Sequence, residues 1–125
     1  MNVIYDAGML ISLARGDRQS WARHQMRLRV RTTPLTTAPV VAQVSRDGRQ
    51  ALLRRALDDC EVVSFLAASA HAVGALLGAA GTSDVVDAHV MTIASELDAT
   101  VITGDTKDLL LLAPHVSGAV EVVPI

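Results

Sequence analysis

The chain of 125 residues is half apolar, which suffices for one continuous core and a single domain over residues 1–125. Tyr5, Trp21 and Phe65 are the only aromatic residues and Cys60 the only cysteine, which excludes an internal disulfide, a thiolate zinc cluster, a CxxC redox pair and a platform for base stacking. The net charge of −2 conceals a division: residues 15–55 hold all ten arginines against Asp17 and Asp47, a net +8, while the remainder of the chain carries −10.

Asn2 to Tyr5 reads as a short buried strand, followed by a helical turn from Gly8 to Ala14. Asp17 or Ser20 caps a helix running to about Arg31, stopped by Pro34. Pro34 to Thr37 is a second strand. A helix then begins near Ala38, with Pro39 in its first turn, and is expected to end at Gly48. Arg49 to Leu57 forms another, with Leu52, Leu53, Ala56 and Leu57 on one side and Arg49, Arg54 and Arg55 mostly on the other. Glu61 to Ser64 is the third strand. Ala67 to Ala80 is a helix ended by Gly81, and Ser83 or Asp84 caps the next, where Val86, Val90, Ile93 and Leu97 form a core stripe. Ala99 to Thr103 is the fourth strand, Thr106 to Leu112 a helical turn, and Val120 to Val123 the last strand.

Strands alternating with helices imply an α/β chain in three layers, an α/β/α sandwich around a mainly parallel sheet of four to five strands. Ligands of such sheets sit at the carboxyl ends of the strands. The start of the chain lacks a basic n-region, and its longest apolar stretch is Ala/Gly-rich and interrupted by Ser69 and His71, so no signal peptide or membrane span is expected and a cytoplasmic place fits. Cys60 reads as a small buried apolar residue. The basic half suits a polyanionic partner; alternatively, its arginines solvate helix faces and pair with acids elsewhere.

Asp6 directly follows the first strand and Asp105 the fourth, across the Thr103-Gly104 turn, so both open onto one end of the sheet. Asp84 and Asp87 are neighbours at i, i+3 on the exposed flank of their helix. Clustered carboxylates without a lysine repel one another unless a divalent cation lies between them, and oxygen ligands select Mg²⁺ or Mn²⁺ over zinc. Singly, Asp84 serves equally as a helix cap and Asp6 as a turn former. Other chemistries find no support. GxGxxG, GxxxxGK[ST] and GxSxG motifs are absent, Asp6 lacks the second aspartate two residues on that an aspartyl-phosphate site needs, and His24, His71, His89 and His115 have no metal-ligand spacing.

The strings Val3-Ile4-Tyr5-Asp6-Ala7-Gly8, Ser83-Asp84-Val85-Val86-Asp87-Ala88 and Val101-Ile102-Thr103-Gly104-Asp105 resemble, in order and spacing over nearly the whole chain, the PIN-domain family and its VapC-type toxin ribonucleases. The resemblance implies a Mg²⁺- or Mn²⁺-dependent endoribonuclease, the toxin of a bacterial toxin–antitoxin pair, with RNA as substrate, a cognate antitoxin protein as partner and a homodimeric assembly. Asp6, Asp87 and Asp105 match acidic positions of the site and Thr103 a hydroxyl beside them. Asp6 and Asp105 are the first expected ligands, Asp87 orients water, and Asp108 is peripheral. One position departs: the family's second acid aligns with Gln43, so Asp84 from the neighbouring helix, or Asp47 from one turn beyond Gln43, restores the missing charge, or else the site is weakened. The alternative reading is a PIN-fold RNA-binding or partner-binding protein with decayed catalysis.

Overall fold

The structure, a computed structural model, describes residues 2–125. Five strands, β1 (Asn2–Tyr5), β2 (Leu35–Thr37), β3 (Glu61–Val63), β4 (Ala99–Thr103) and β5 (Val122–Pro124), form one parallel sheet in the order β3-β2-β1-β4-β5. Ile4 pairs with Leu35 on one side and Val101 on the other, so β1 is central. Val3, Ile4 and Tyr5 are all buried, as a strand covered on both faces requires.

The helices α1 (Ala7–Ala14), α2 (Arg18–Arg29), α3 (Ala38–Val44) and α4 (Ala51–Asp58) pack together around α1. A second group is α5 (Ala67–Ala80), α6 (Val85–Leu97) and α7 (Thr106–Leu112), the last running into a 3₁₀ turn at Ala113–His115. The chain steps from β1 outward to β3, then returns past β1 to add β4 and β5. Strand order therefore reverses between β1 and β4, and a crevice opens at their carboxyl ends. Among the described residues no helix is long and apolar enough to cross a membrane.

Differences from the sequence reading have local causes. The third helix ends at Val44, not Gly48, because Ser45 turns extended and the Gln50 amide takes over the exposed end, donating to Val44 O at 2.9 Å and accepting from Arg46 N at 2.7 Å. The last strand lies two residues later at its start than expected, since Val101 pairs with Val122. The α6 stripe is broader: Ala88, His89, Val90, Met91, Ile93 and Ala94 are buried, whereas Leu97 is 40% exposed. Helix α6 touches the sheet, α5 and α7 at once, and a narrow stripe cannot cover three neighbours. Gly81 ends α5 in the left-handed conformation, φ 69°, as expected.

Candidate active site

Asp6 leaves β1 with its amide donating to Ile102 O at 2.9 Å, and so continues the β1–β4 ladder by one residue. It is the N-cap residue of α1, yet its side chain makes no capping bond. Instead, the Thr103 hydroxyl donates to Asp6 Oδ2 at 2.9 Å while accepting from the Asp105 amide at 3.0 Å. One hydroxyl thus joins the ends of β1 and β4. Asp84 and Asp105 do cap their helices, accepting from the amides of Asp87 (3.0 Å) and Asp108 (3.4 Å). Their carboxylates are thereby held at the helix N-termini, whose partial positive charge offsets some of the repulsion.

The result is a cleft of about 240 Å³ lined by Asp6, Asp84, Asp87, Asp105 and Asp108, with Gln43, Thr103 and the Ala7-Gly8 and Gly104 backbone. Its lining, among the described residues, contains no lysine or arginine. The structure thus gathers Asp6, Asp87, Asp105, Thr103, Gln43 and Asp84 in one place, and Asp108, peripheral in the sequence, lines it too. Asp47 is not part of the cleft. Because α3 stops at Val44, Asp47 falls in the following loop, where its carboxylate accepts from Arg49 N at 2.7 Å. Sequence reasoning passed over the two glycines. A Cβ on Gly8 would stand 2.7 Å from Gly104 N, so α1 and the β4–α7 turn meet backbone to backbone.

Electrostatics follow from this crowding. Burial pushes the Asp6 carboxyl above the ordinary range, aided by Asp84 and Asp105 and opposed by the Ala7 amide and Thr103 hydroxyl. Asp87 is pushed up to about 7, first by burial and then by Asp84, Asp6, Asp108 and Asp105. On Asp108 the main cause of an upward shift is Asp105. An unfolded aspartate titrates near pH ~3.9, so between about pH 4 and 7 the folded chain keeps a proton that the unfolded chain has lost, and stability falls as pH rises through that window. Asp87→Asn removes this penalty. Its melting temperature should therefore gain on the wild type between pH 5 and pH 8, the full effect being of order 1–2 kcal/mol after solvent screening. Equal gains at both pH values would show that another group titrates.

The histidines and Cys60 stand outside this cleft. His24 and His89 are fully buried and Cys60 is half-buried, its thiol pushed up to about 12 by burial and then by Asp59, which makes it a poor nucleophile.

No family model and no curated protein sequence matches the chain. Solved structures do. A crystal structure of VapBC2 from Rickettsia felis, bound to a DNA fragment from its promoter, contains a chain similar over 100% of this chain and 99% of its own, at 15% identity and a TM-score of 0.68. The crystal structure of PAE2754 from Pyrobaculum aerophilum is similar over 97% of this chain and 89% of that one, at 16% identity and a TM-score of 0.63. The likeness is one of fold: the chain has a PIN-like α/β/α architecture around an all-parallel five-stranded sheet.

Proposed function

We propose that the chain is a metal-dependent endoribonuclease, the toxin of a toxin–antitoxin pair, which hydrolyses RNA phosphodiester bonds with Mg²⁺ or Mn²⁺ in the acidic cleft. The observation that carries this reading is the convergence of five aspartates on a cleft without a lining cation. Such a set is self-repelling as it stands and becomes favourable around a dication. The donors are all oxygen, which suits a hard ion. Among the described residues no three His, Cys, Asp or Glu side chains form a ready ligand group. An ion held there would therefore take one or two carboxylates directly and keep several of its waters, as Mg²⁺ does.

Asp6 and Asp105 would hold the ion, with Thr103 fixing the direction of the Asp6 carboxylate. Bound there, the ion supplies Lewis acidity, activating water at neutral pH and offsetting charge on the scissile phosphate. Asp87 sits poised to hold or release a proton near neutrality before metal binds. The chain's own part is to keep basic side chains out of the cleft, orient the carboxylates and gather the phosphate backbone. For the last task it has ten arginines, none of which makes an ion pair with a carboxylate among the described residues. That favours the polyanion over internal pairing as the use of the basic half.

Incubating RNA with the purified protein and Mg²⁺, Mn²⁺ or EDTA tests the reading: cleavage is expected with either metal and none with EDTA. Arg46 and Arg49 lie in the loop that follows α3, whose Gln43 lines the cleft. Replacing both with glutamine should lower RNA affinity and flatten its dependence on log salt by roughly 1 to 2, leaving Mn²⁺ uptake unchanged. Binding that is indifferent to the double substitution would assign these arginines to solvent or to the antitoxin. A small antitoxin covering the cleft, a homodimer and a cytoplasmic setting complete the proposal. A short reading frame directly upstream and the solution mass test the first two.

Gln43 favours a second reading, a PIN-fold RNA-binding protein with weakened catalysis. Asp84, which lines the same cleft, would supply the missing charge. If it does, Asp84→Asn should cripple cleavage and Gln43→Glu should partly rescue that variant, a coupling that a double-mutant cycle measures. Additive effects would end the compensation idea. Wild-type protein that binds RNA without cutting it, beside a Gln43→Glu variant that cuts, would establish the second reading.

A further inference from the structure

A polar network outside the cleft ends on the residue before Asp6. Tyr5 is fully buried; its hydroxyl lies 2.8 Å from His24 Nδ1 and accepts from the Arg27 guanidinium at 3.2 Å, while His24 Nε2 lies 2.9 Å from Asp59 Oδ2. The Asp59 carboxylate only accepts, so in the neutral imidazole the ring proton lies on Nε2 and Nδ1 accepts the Tyr5 proton, while the phenol oxygen accepts from Arg27. Every donor then meets an acceptor, and one tautomer is fixed. His24 is itself fully buried, with the Trp21 ring edge-on at 5.5 Å.

The order tyrosine, histidine, aspartate has the form of a nucleophile, base and orienting acid, but no substrate reaches a hydroxyl buried this far. Its effect is geometric. The Thr36 hydroxyl holds the Tyr5 carbonyl at 2.9 Å, and Ile102 O holds the Asp6 amide at 2.9 Å. Those two groups belong to a single peptide unit. With the tyrosine ring anchored through His24, that peptide is tied at both edges and at its preceding side chain, and the Cα of Asp6 is left little freedom.

We infer that His24 and Asp59 are positioning residues for Asp6, acting through Tyr5 to fix the peptide from which the cleft's buried carboxylate projects. Residues supporting a metal ligand from behind commonly change metal affinity by roughly 10- to 100-fold. The inference rests on the metal-site reading only for its consequence, not for its geometry.

The test uses the full chain with Tyr5→Phe, His24→Phe and Asp59→Ala, and reads amide hydrogen exchange and Mn²⁺ affinity by calorimetry. Exchange at the Asp6 amide should accelerate about tenfold more than at the other amides of β1 and β4, with Mn²⁺ binding weaker by a similar factor. Asp59→Asn keeps an acceptor for Nε2–H and should restore most of both. If His24→Phe fails to fold, Tyr5→Phe and the two Asp59 variants still decide. Acceleration spread evenly over β1 and β4, or none at Asp6, overturns the inference. Selective loosening of Asp6 in a protein that takes up no Mn²⁺ would uphold the positioning role and reject the metal site instead; Mn²⁺ binding indifferent to all variants would do the reverse.

Discussion

Asp6→Asn abolishes RNA cleavage while the fold survives: that is the expected result with the largest effect on activity. The amide oxygen can still accept the Thr103 hydroxyl, so the join between β1 and β4 is kept. What is lost is a unit charge. At ~4 Å from a dication and an effective dielectric of ~20, each unit charge on the ion feels about 4 kcal/mol, of which even part amounts to several powers of ten in affinity. Thermal stability should hold or rise, because burial already raises the Asp6 carboxyl and an amide carries no such penalty. Cleavage at the wild-type rate in this variant would remove Asp6 from the mechanism.

Gly8→Ala should be the most damaging small change to the fold around the site. The added methyl would meet Gly104 N at 2.7 Å and Gly104 Cα at 2.8 Å, with Ile125 Cδ1 at 3.1 Å. Backbone cannot rotate away as a side chain can, so α1 must move off the β4–α7 turn. Overpacking of this kind costs about 1–3 kcal/mol, a fall of roughly 4–12 °C in a domain this size. It also parts Asp6 from Asp105, and a displacement near 1 Å costs about 100-fold in rate. Gly74→Ala and Gly78→Ala serve as controls, since nothing lies within 4 Å of a Cβ there and a helix interior gains about 0.5–1 kcal/mol from alanine. Melting curves and cleavage rates of the three variants decide it; a Gly8→Ala protein as stable and active as wild type would show the contact to be slack.

How much of this was legible in the sequence varies with the distance over which each feature is decided. Asp6 and Asp105 are found by local signals, an apolar run closing on an acid, and the structure brings both to one crevice. Asp84 and Asp87 are related by helical spacing alone, which the α6 cap confirms. Asp47 lies outside the cleft because the end of α3 is set not by Gly48 but by the Gln50 side chain folding back to Val44. No local pattern announces such a reach. The same holds for Gly8 against Gly104, and for Tyr5 against His24 and Asp59: each contact joins segments whose proximity exists only after the sheet has formed. Asp108 lay between these cases, adjacent to Asp105 on one helical turn, yet its place in the cleft depends on how α7 docks.

The pairing of β1 with β4 has a consequence in time. Asn2 sits beside Ala99 and Tyr5 beside Ile102, so the first strand made waits for almost the last before either wall of the cleft has its partner. At about 5–20 residues per second, a ribosome needs roughly 5 to 20 s to cover that separation. Until then β1 can pair only with β2, Asp6 has neither the Thr103 hydroxyl nor the Ile102 carbonyl, and the growing polypeptide carries its carboxylates scattered. Contacts this distant along the chain form slowly. Whatever depends on the assembled cleft therefore arises late and all at once, after synthesis of the fourth strand.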